Sequence, residues 1–444
     1  MKIYLDMVGC RLNQAEIEQM ARQFRSSGHT IVATAREAET VVINTCSVTA
    51  QAASDSRQKI RQASHQGVEK IVVTGCWSTL QPQQAASLPN VVQVIPNSDK
   101  DSLVRTYLHL DSEMHLGAES KTHPSPFDLE PISRLPLPGL RQRTRAFIKV
   151  QDGCDNACTF CITTIARGAG RSRPAAGVIA DIQAALKGGA REIVLTGVHL
   201  GSWGQDFGSH LQQLIRQILD ECDLPRLRLS SLEPWDLHED FFTLWQDPRL
   251  CPHLHLPLQS GSAVTLKRML RKTTPGSFRA LVKAARQLIP DVAITTDVIA
   301  GFPAESETEF AESLAFIEEM GFAGGHVFTY SARPGTPAAR IREQVPHDLR
   351  KQRNHSLRQV FTRSSLLYRQ RFLGQEMPVL WEASAVRNQH GWQIEGLTSN
   401  YLRVAANAPE LRWNHLDTVR LTGLTAEGLS GEIIGDMDLW SQGS

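Results

Sequence analysis

The sequence predicts an α/β protein in three parts: an open parallel α/β sheet at the N-terminus, a partial (β/α)6 barrel in the centre and a small all-β barrel at the C-terminus. Three observations carry this prediction. Apolar, β-branched runs alternate with amphipathic stretches in the first hundred residues, six further strand-like runs follow at β/α spacing, and after Gly374 the pattern changes to short strands close together.

In chain order, residues 3–10, 41–46 and 70–76 each run apolar, as strands buried on both faces do, and each delivers a cysteine where the chain leaves the sheet. Helices are expected at 16–27 and 52–66, which sets this unit at 1–110. Five prolines (Pro124, Pro126, Pro131, Pro136 and Pro138) break any regular element and mark a linker at 111–144. The central unit, 145–373, takes its strands at 147–150, 193–196, 227–230, 253–256, 293–296 and 326–329, with chemistry expected at their carboxyl ends. It finishes in a basic helical stretch, 340–371, that carries nine Lys or Arg against Glu343 and Asp348. The last unit, 374–444, reads as strands at 377–382, 392–397, 401–405, 418–421 and 429–434.

The 444 residues are 41% hydrophobic and 21% charged, a soluble globular composition long enough for two or three domains. No apolar run approaches membrane-spanning length and the chain opens directly into a strand, so a cytoplasmic protein is expected. A formal charge of +1 gives no bulk attraction to nucleic acid, so any RNA contact must come from local patches. Eight cysteines in such a chain bind metal, react or pack more often than they form disulfides.

Cys154-Asp155-Asn156-Ala157-Cys158-Thr159-Phe160-Cys161 follows the first barrel strand. Three thiolates in eight residues can wrap one face of an iron–sulfur cube and leave one iron open. A structural zinc site wants a fourth tight ligand, and no cysteine or histidine stands close by in sequence. Cys10, Cys46 and Cys76 are 36 and 30 residues apart, about one βαβ unit each, which brings them to one edge of a parallel sheet, where such sheets hold ligands. Any one of them alone would read as a small buried hydrophobe. Three at equivalent places read as a second cluster site, with Gly9 and Gly75 turning the backbone tightly beside it. Cys222 and Cys251 have no partners in the pattern and read as structural.

The cysteine triplet with this spacing resembles that of the radical S-adenosylmethionine (SAM) enzymes. Two such trios, on a sheet domain and a barrel followed by a β module similar to the TRAM domain, resemble the methylthiotransferases over nearly the whole chain. Gly9-Cys10-Arg11-Leu12-Asn13-Gln14-Ala15-Glu16, Asn44-Thr45-Cys46-Ser47-Val48-Thr49 and Leu195-Thr196-Gly197-Val198-His199-Leu200-Gly201-Ser202-Trp203-Gly204 look like the MtaB branch, which acts on threonylcarbamoyladenosine in tRNA. The isopentenyladenosine branch typically has Gly-Cys-Gln-Met-Asn at the first site and the ribosomal-protein branch Gly-Cys-Pro-Lys-Asn. Thr164, Trp77-Ser78-Thr79 and Phe160 depart from the usual residues of the family without touching the ligands.

The resemblance implies two 4Fe-4S clusters, on Cys10, Cys46 and Cys76 and on Cys154, Cys158 and Cys161, with SAM on the open iron of the second. It implies methylthio transfer to position 2 of the adenosine next to the anticodon, with no catalytic residue beyond the cluster ligands. The partners would be the tRNA anticodon stem-loop, a low-potential electron donor such as flavodoxin or ferredoxin, and a sulfur source. Phe160 would lie against the SAM adenine or pack in the core. Gly197, Ser231, Glu233, Gln259 and Asp297 would hold the cofactor, with Glu233 and Asp297 alternatively forming loop salt bridges. His199 reads as a hydrogen-bonded structural histidine. Arg167, Arg171 and Arg173 form a candidate RNA-binding patch and Lys267, Arg268, Arg271 and Lys272 another, against solvated faces as the plain reading. Two alternatives stay open: the same chemistry on isopentenyladenosine or a ribosomal-protein aspartate, and a non-catalytic RNA-binding protein stapled by metal. A cobalamin enzyme is not expected, because the Asp-x-His-x-x-Gly signature is missing.

Overall fold

The computed structural model describes residues 1–108, 144–389 and 391–436, so the linker expected at 111–144 lies outside them apart from Thr144. The first unit comprises β1 (Lys2–Met7), α1 (Arg11–Ser26), β2 (Thr30–Ile31), β3 (Thr40–Thr45), α2 (Ala50–His65), β4 (Lys70–Gly75), α3 (Cys76–Leu80), α4 (Pro82–Ala86), β5 (Val91–Ile95) and α5 (Leu103–Tyr107). All five strands are parallel, in the order β2-β1-β3-β4-β5. β3 is buried at every position because helices cover both faces. Val42 and Val72 pack with Ile17 and Phe24 of α1, while Val41, Ile43, Ile71 and Val73 pack with Ile60 of α2.

Register explains why the cysteines meet. Met7 pairs with Asn44 and Asn44 with Thr74, so β1, β3 and β4 end level and their thiols leave from one edge. Gly75 makes that exit possible with φ +103°; a Cβ there would sit 2.3 Å from the Thr45 carbonyl oxygen and 2.4 Å from its nitrogen. Gly75→Ala is therefore expected to lower the stability of this unit by at least about 1–3 kcal/mol from backbone strain alone, read as a shift in the urea midpoint.

The central unit contains β6 (Arg145–Lys149), β7 (Gln151–Asp152), α6 (Thr163–Arg167), β8 (Arg171–Ser172), α7 (Ala175–Lys187), β9 (Glu192–Thr196), α8 (Leu211–Glu221), β10 (Leu227–Leu229), β11 (His253–His255), α9 (Ala263–Arg268), α10 (Pro275–Leu288), β12 (Ala293–Ala300), α11 (Glu307–Met320), β13 (Gly324–Thr329) and α12 (His347–Gln370). Two parallel triples, β10-β9-β6 and β11-β12-β13, are joined by single bridges, Leu227 to Leu250 and Ser231 to His255, into a six-stranded arc. All six expected strands are present. β7 and β8 pair antiparallel and pin the two ends of the cysteine loop together. The basic helix α12 uses part of its charge internally. Arg353 is buried against Glu305 and Glu307, and Arg369 donates to the carbonyls of Thr425 and Gly428.

The last unit, β14 (Glu376–Asn388), β15 (Gly391–Thr398), β16 (Arg403–Ala408), β17 (Leu416–Leu424) and β18 (Leu429–Asp436), closes into a barrel in the order β14-β15-β16-β18-β17. Tyr368 and Phe372 at the end of α12 enter its core beside Trp381, Val404 and Leu421. Tyr401, expected inside the third strand, instead lies in the turn before β16 with φ +71°. Its ring stacks on His253 at 4.5 Å, and that tertiary contact outweighs the residue's strand preference.

Candidate functional site

Cys10 caps α1, Cys46 follows β3 and Cys76 opens α3. A Cβ on Gly9, at φ +113°, would fall 2.7 Å from the Cys46 sulfur, so only glycine lets the first loop pass the second thiol. Burial, together with the neighbouring thiols of Cys10 and Cys76, pushes the Cys46 thiol up to about 11. Three thiols this close cannot all ionise without a cationic guest, and an iron cluster is such a guest. Asn13 Oδ1 lies 4.0 Å from the Cys10 sulfur, and Asn97 Nδ2 donates to the Cys76 sulfur at 3.6 Å. The departing Trp77-Ser78-Thr79 segment fits here: Trp77 is buried under Arg57, Ser78 N–H donates to Thr45 Oγ1, and Thr79 Oγ1 accepts from Asn97 N–H.

The second trio lies in the loop held by β7 and β8. Cys154 accepts from the Asn156 N–H and Cys161 from the Thr163 N–H, both at 3.4 Å, and Arg271 donates to the Cys158 sulfur at 3.7 Å. Burial raises the thiols of Cys158 and Cys161. His199 spans Asn156 Nδ2 at 3.2 Å and Asp236 Oδ2 at 2.5 Å. Burial opposes its charge, but Asp236 and Cys154 outweigh that and raise it to about 10, so His199 fixes the loop as a structural histidine. Thr164 Oγ1 reaches back to the Asn156 carbonyl at 3.3 Å. Among the described residues no three His, Cys, Asp or Glu side chains converge as ligands of a single ion do. Ligands of a cube sit on three different irons and stand further apart.

Helix α3 packs on α6, and Asn97 joins the two loops by donating both to Cys76 and, at 2.8 Å, to the Ala166 carbonyl. Beneath them lies a buried ion network. Arg167 donates to Glu16 at 2.9 Å, Asp152 at 2.8 Å and Asn13 at 2.8 Å, while Lys100 meets Glu16 at 2.9 Å and Lys149 meets Asp101 at 2.7 Å and Asp152 at 3.3 Å. Burial would raise the Glu16 carboxyl, but Arg167, Lys100 and Lys149 hold it well below the usual carboxylate range.

Arg167, expected to face RNA, is thus sealed between two units with its guanidinium committed to carboxylates. Arg173 is likewise engaged with Asp181 at 2.7 Å, and Arg171 is exposed. In the second patch, Arg268 pairs with Glu309 and Arg271 is buried between Glu233, the Pro257 carbonyl and the Trp235 ring, which leaves Lys267 and Lys272 exposed.

A cavity of about 840 Å³ lies between the sheet unit, the arc and the C-terminal barrel. Gly197, Ser231 and Asp297 line it. Asp297 Oδ2 is 3.3 Å from His255 Nε2, while its Oδ1 is buried with no partner. Glu233, Gln259 and Phe160 lie elsewhere: Glu233 is paired with Arg271 at 2.5 Å, Gln259 sits at φ +72° with its backbone bonded to β12, and Phe160 packs edge-on against Phe302. Sequence reasoning did not assign Asn97 or Tyr401 any role here, or Arg333, which lies near enough to Cys46 for the thiolate to favour its charge. None belongs to a local motif.

Residues 2–96 match the family model described as "Uncharacterized protein family UPF0004" and residues 148–317 that of the radical SAM superfamily. A Thermotoga maritima protein named threonylcarbamoyladenosine tRNA methylthiotransferase MtaB is 34% identical over 96% of both chains. A Bacillus subtilis protein of the same name is 33% identical over 91% of this chain and 90% of its own. A Cereibacter sphaeroides tRNA-2-methylthio-N(6)-dimethylallyladenosine synthase is 32% identical over 98% and 99%. Among solved structures, the radical SAM methyltransferase TsrM from Kitasatospora setae superposes with a TM-score of 0.57 at 14% identity, over 76% of this chain and 77% of its own, which is a likeness of fold. The two matched domains in this order, and relatives of this identity over nearly the full length, show that the chain belongs to the methylthiotransferase family of radical SAM enzymes.

Proposed function

We propose that the protein is a tRNA methylthiotransferase that adds a methylthio group to position 2 of N6-threonylcarbamoyladenosine beside the anticodon. One observation carries the reading: two cysteine trios, on separate units, are brought together by α3 against α6 in a chain whose Thermotoga and Bacillus relatives are named for that reaction. Cys154, Cys158 and Cys161 would hold one 4Fe-4S cluster, and Cys10, Cys46 and Cys76 a second. When bound, the barrel cluster and SAM supply the radical chemistry that abstracts hydrogen from an unactivated aromatic carbon.

The chain's own residues prepare that chemistry. Arg271 sets a positive charge beside Cys158, while His199, tied to Asp236 and Asn156, fixes the loop. Gly197, Ser231 and Asp297 orient SAM along the cavity wall, and the unpartnered Asp297 oxygen is the acceptor available to its ribose or amino group. The three units together line the cavity. The C-terminal barrel resembles a TRAM module and, with exposed Arg171, Lys267 and Lys272, would grip the stem-loop backbone. No helix among the described residues is long and apolar enough to cross a membrane; the protein is read as cytoplasmic, drawing electrons from a flavodoxin or ferredoxin and sulfur from a separate source.

Anaerobically reconstituted protein with SAM and a reductant is expected to methylthiolate a stem-loop bearing threonylcarbamoyladenosine, detected by mass spectrometry of the digested nucleosides. The Cereibacter relative makes the prenylated loop the necessary second substrate. Modification of that loop alone would replace this reading with its alternative.

A further inference from the structure

Arg11, in the first turn of α1, crosses from the sheet unit to the C-terminal barrel. Its Nη2 donates to Tyr401 Oη at 2.9 Å, and both residues line the central cavity. Other guanidiniums near that space have their own acceptors: Arg369 lines it and donates to backbone carbonyls, and two more meet carboxylates. Arg228 meets Glu192 at 2.7 Å and Arg145 meets Glu382 at 2.6 Å. Among the described residues no carboxylate pairs with Arg11; its partner is a phenol.

That phenol is rigid. Tyr401 is locked in a left-handed turn, stacks on His253 with an interplanar angle of 13°, and receives Arg228 over its ring at 4.9 Å. Around these two rings the local field is positive, although Asp297, Glu382 and Glu427 also line the cavity. Burial, then Arg228, His255, Arg11 and Arg145, hold His253 well below the usual histidine range, and Tyr401 is lowered although burial alone would raise it, because Arg11, Arg145 and Arg228 surround it. A half-buried cation without a counter-charge has more to gain from an incoming anion than from an apolar guest, and a guanidinium fork suits a carboxylate best.

We propose that Arg11, held by Tyr401, is a specificity-determining residue that binds a carboxylate on the N6 substituent of the substrate nucleoside. The inference rests on the functional reading above and supplies its chemical basis: a threonyl group carries that carboxylate, whereas a prenyl group would leave Arg11 desolvated and unpaired. The cavity volume falls in the range that holds a modified base beside a nucleoside-sized cofactor.

The test is fluorescence anisotropy with cluster-reconstituted protein, without reductant, and stem-loops bearing threonylcarbamoyladenosine as the free acid or as its neutral methylamide. The wild type is expected to bind the acid about tenfold to a hundredfold more tightly than the amide, as one charge-assisted contact gives. Arg11→Gln should erase the difference, Arg11→Lys should keep part of it, and Tyr401→Phe should narrow it while preserving the stacked ring. Iron content and the affinity for the unmodified loop report whether each variant is folded. A folded Arg11→Gln that still prefers the acid, or a wild type indifferent to the charge, overturns the inference. Methylthiolation of the prenylated loop in preference to the threonylated one overturns the functional reading instead, whatever Arg11 does.

Discussion

Cys46→Ala is expected to abolish methylthio transfer while leaving reductive cleavage of SAM in place, whereas Cys158→Ala abolishes both. The division follows from the architecture, in which the two trios are built on separate units, Cys46 after β3 and Cys158 in the loop pinned by β7 and β8. Cys46 is buried and small, so its truncation costs little packing. Iron and sulfide analysis of anaerobic protein should show one cube in each variant where the wild type has two. Deoxyadenosine formed on reduction, followed by chromatography, separates the variants. Loss of cleavage in Cys46→Ala would mean that the trios do not act as independent sites.

The second large effect belongs to the ion network under the loops. Removing Glu16, whose side chain is 1% exposed, takes one carboxylate from each of Lys100, Lys149 and Arg167, leaving Lys149 and Arg167 to Asp152 and Lys100 to the Asn44 amide oxygen. Breaking a buried ion set in this way costs about 3–5 kcal/mol, so Glu16→Ala should lower the thermal midpoint sharply, with Glu16→Gln intermediate because it keeps hydrogen bonds but not the charge. The pH dependence has a definite sign. The folded carboxyl is held well below its unfolded value, so its contribution is complete above about pH 4.3 and disappears as the pH falls toward the folded value. Calorimetry of wild type and Glu16→Gln should show curves that converge in acid. A constant gap down to low pH would contradict the network's role.

Much of this protein was legible in its residues. Apolar, β-branched runs announce β1, β3, β4 and the six barrel strands, most plainly β3 and β9, which are buried at every position. Separations of 36 and 30 residues, about one βαβ unit each, place Cys10, Cys46 and Cys76 at one sheet edge. Contacts distant along the chain were not legible. Arg167 sits among glycines and arginines like a solvated loop residue, yet its partner Glu16 is 151 positions away. Arg271 reads as one of a basic quartet, but the fold turns it inward against Glu233 and Cys158. Tyr401 has the residue type of a strand, and only the ring of His253 explains why it is not in one.

The Arg11 to Tyr401 bond joins residues 390 positions apart. It implies an order of manufacture, because domains fold as units from the N-terminus as the chain emerges. The cysteine edge is complete in the chain by Cys76, when the barrel strands from Glu376 onward have yet to be made. Metal and sulfide can therefore reach the cysteine edge on the nascent chain before the last unit meets it at Arg11.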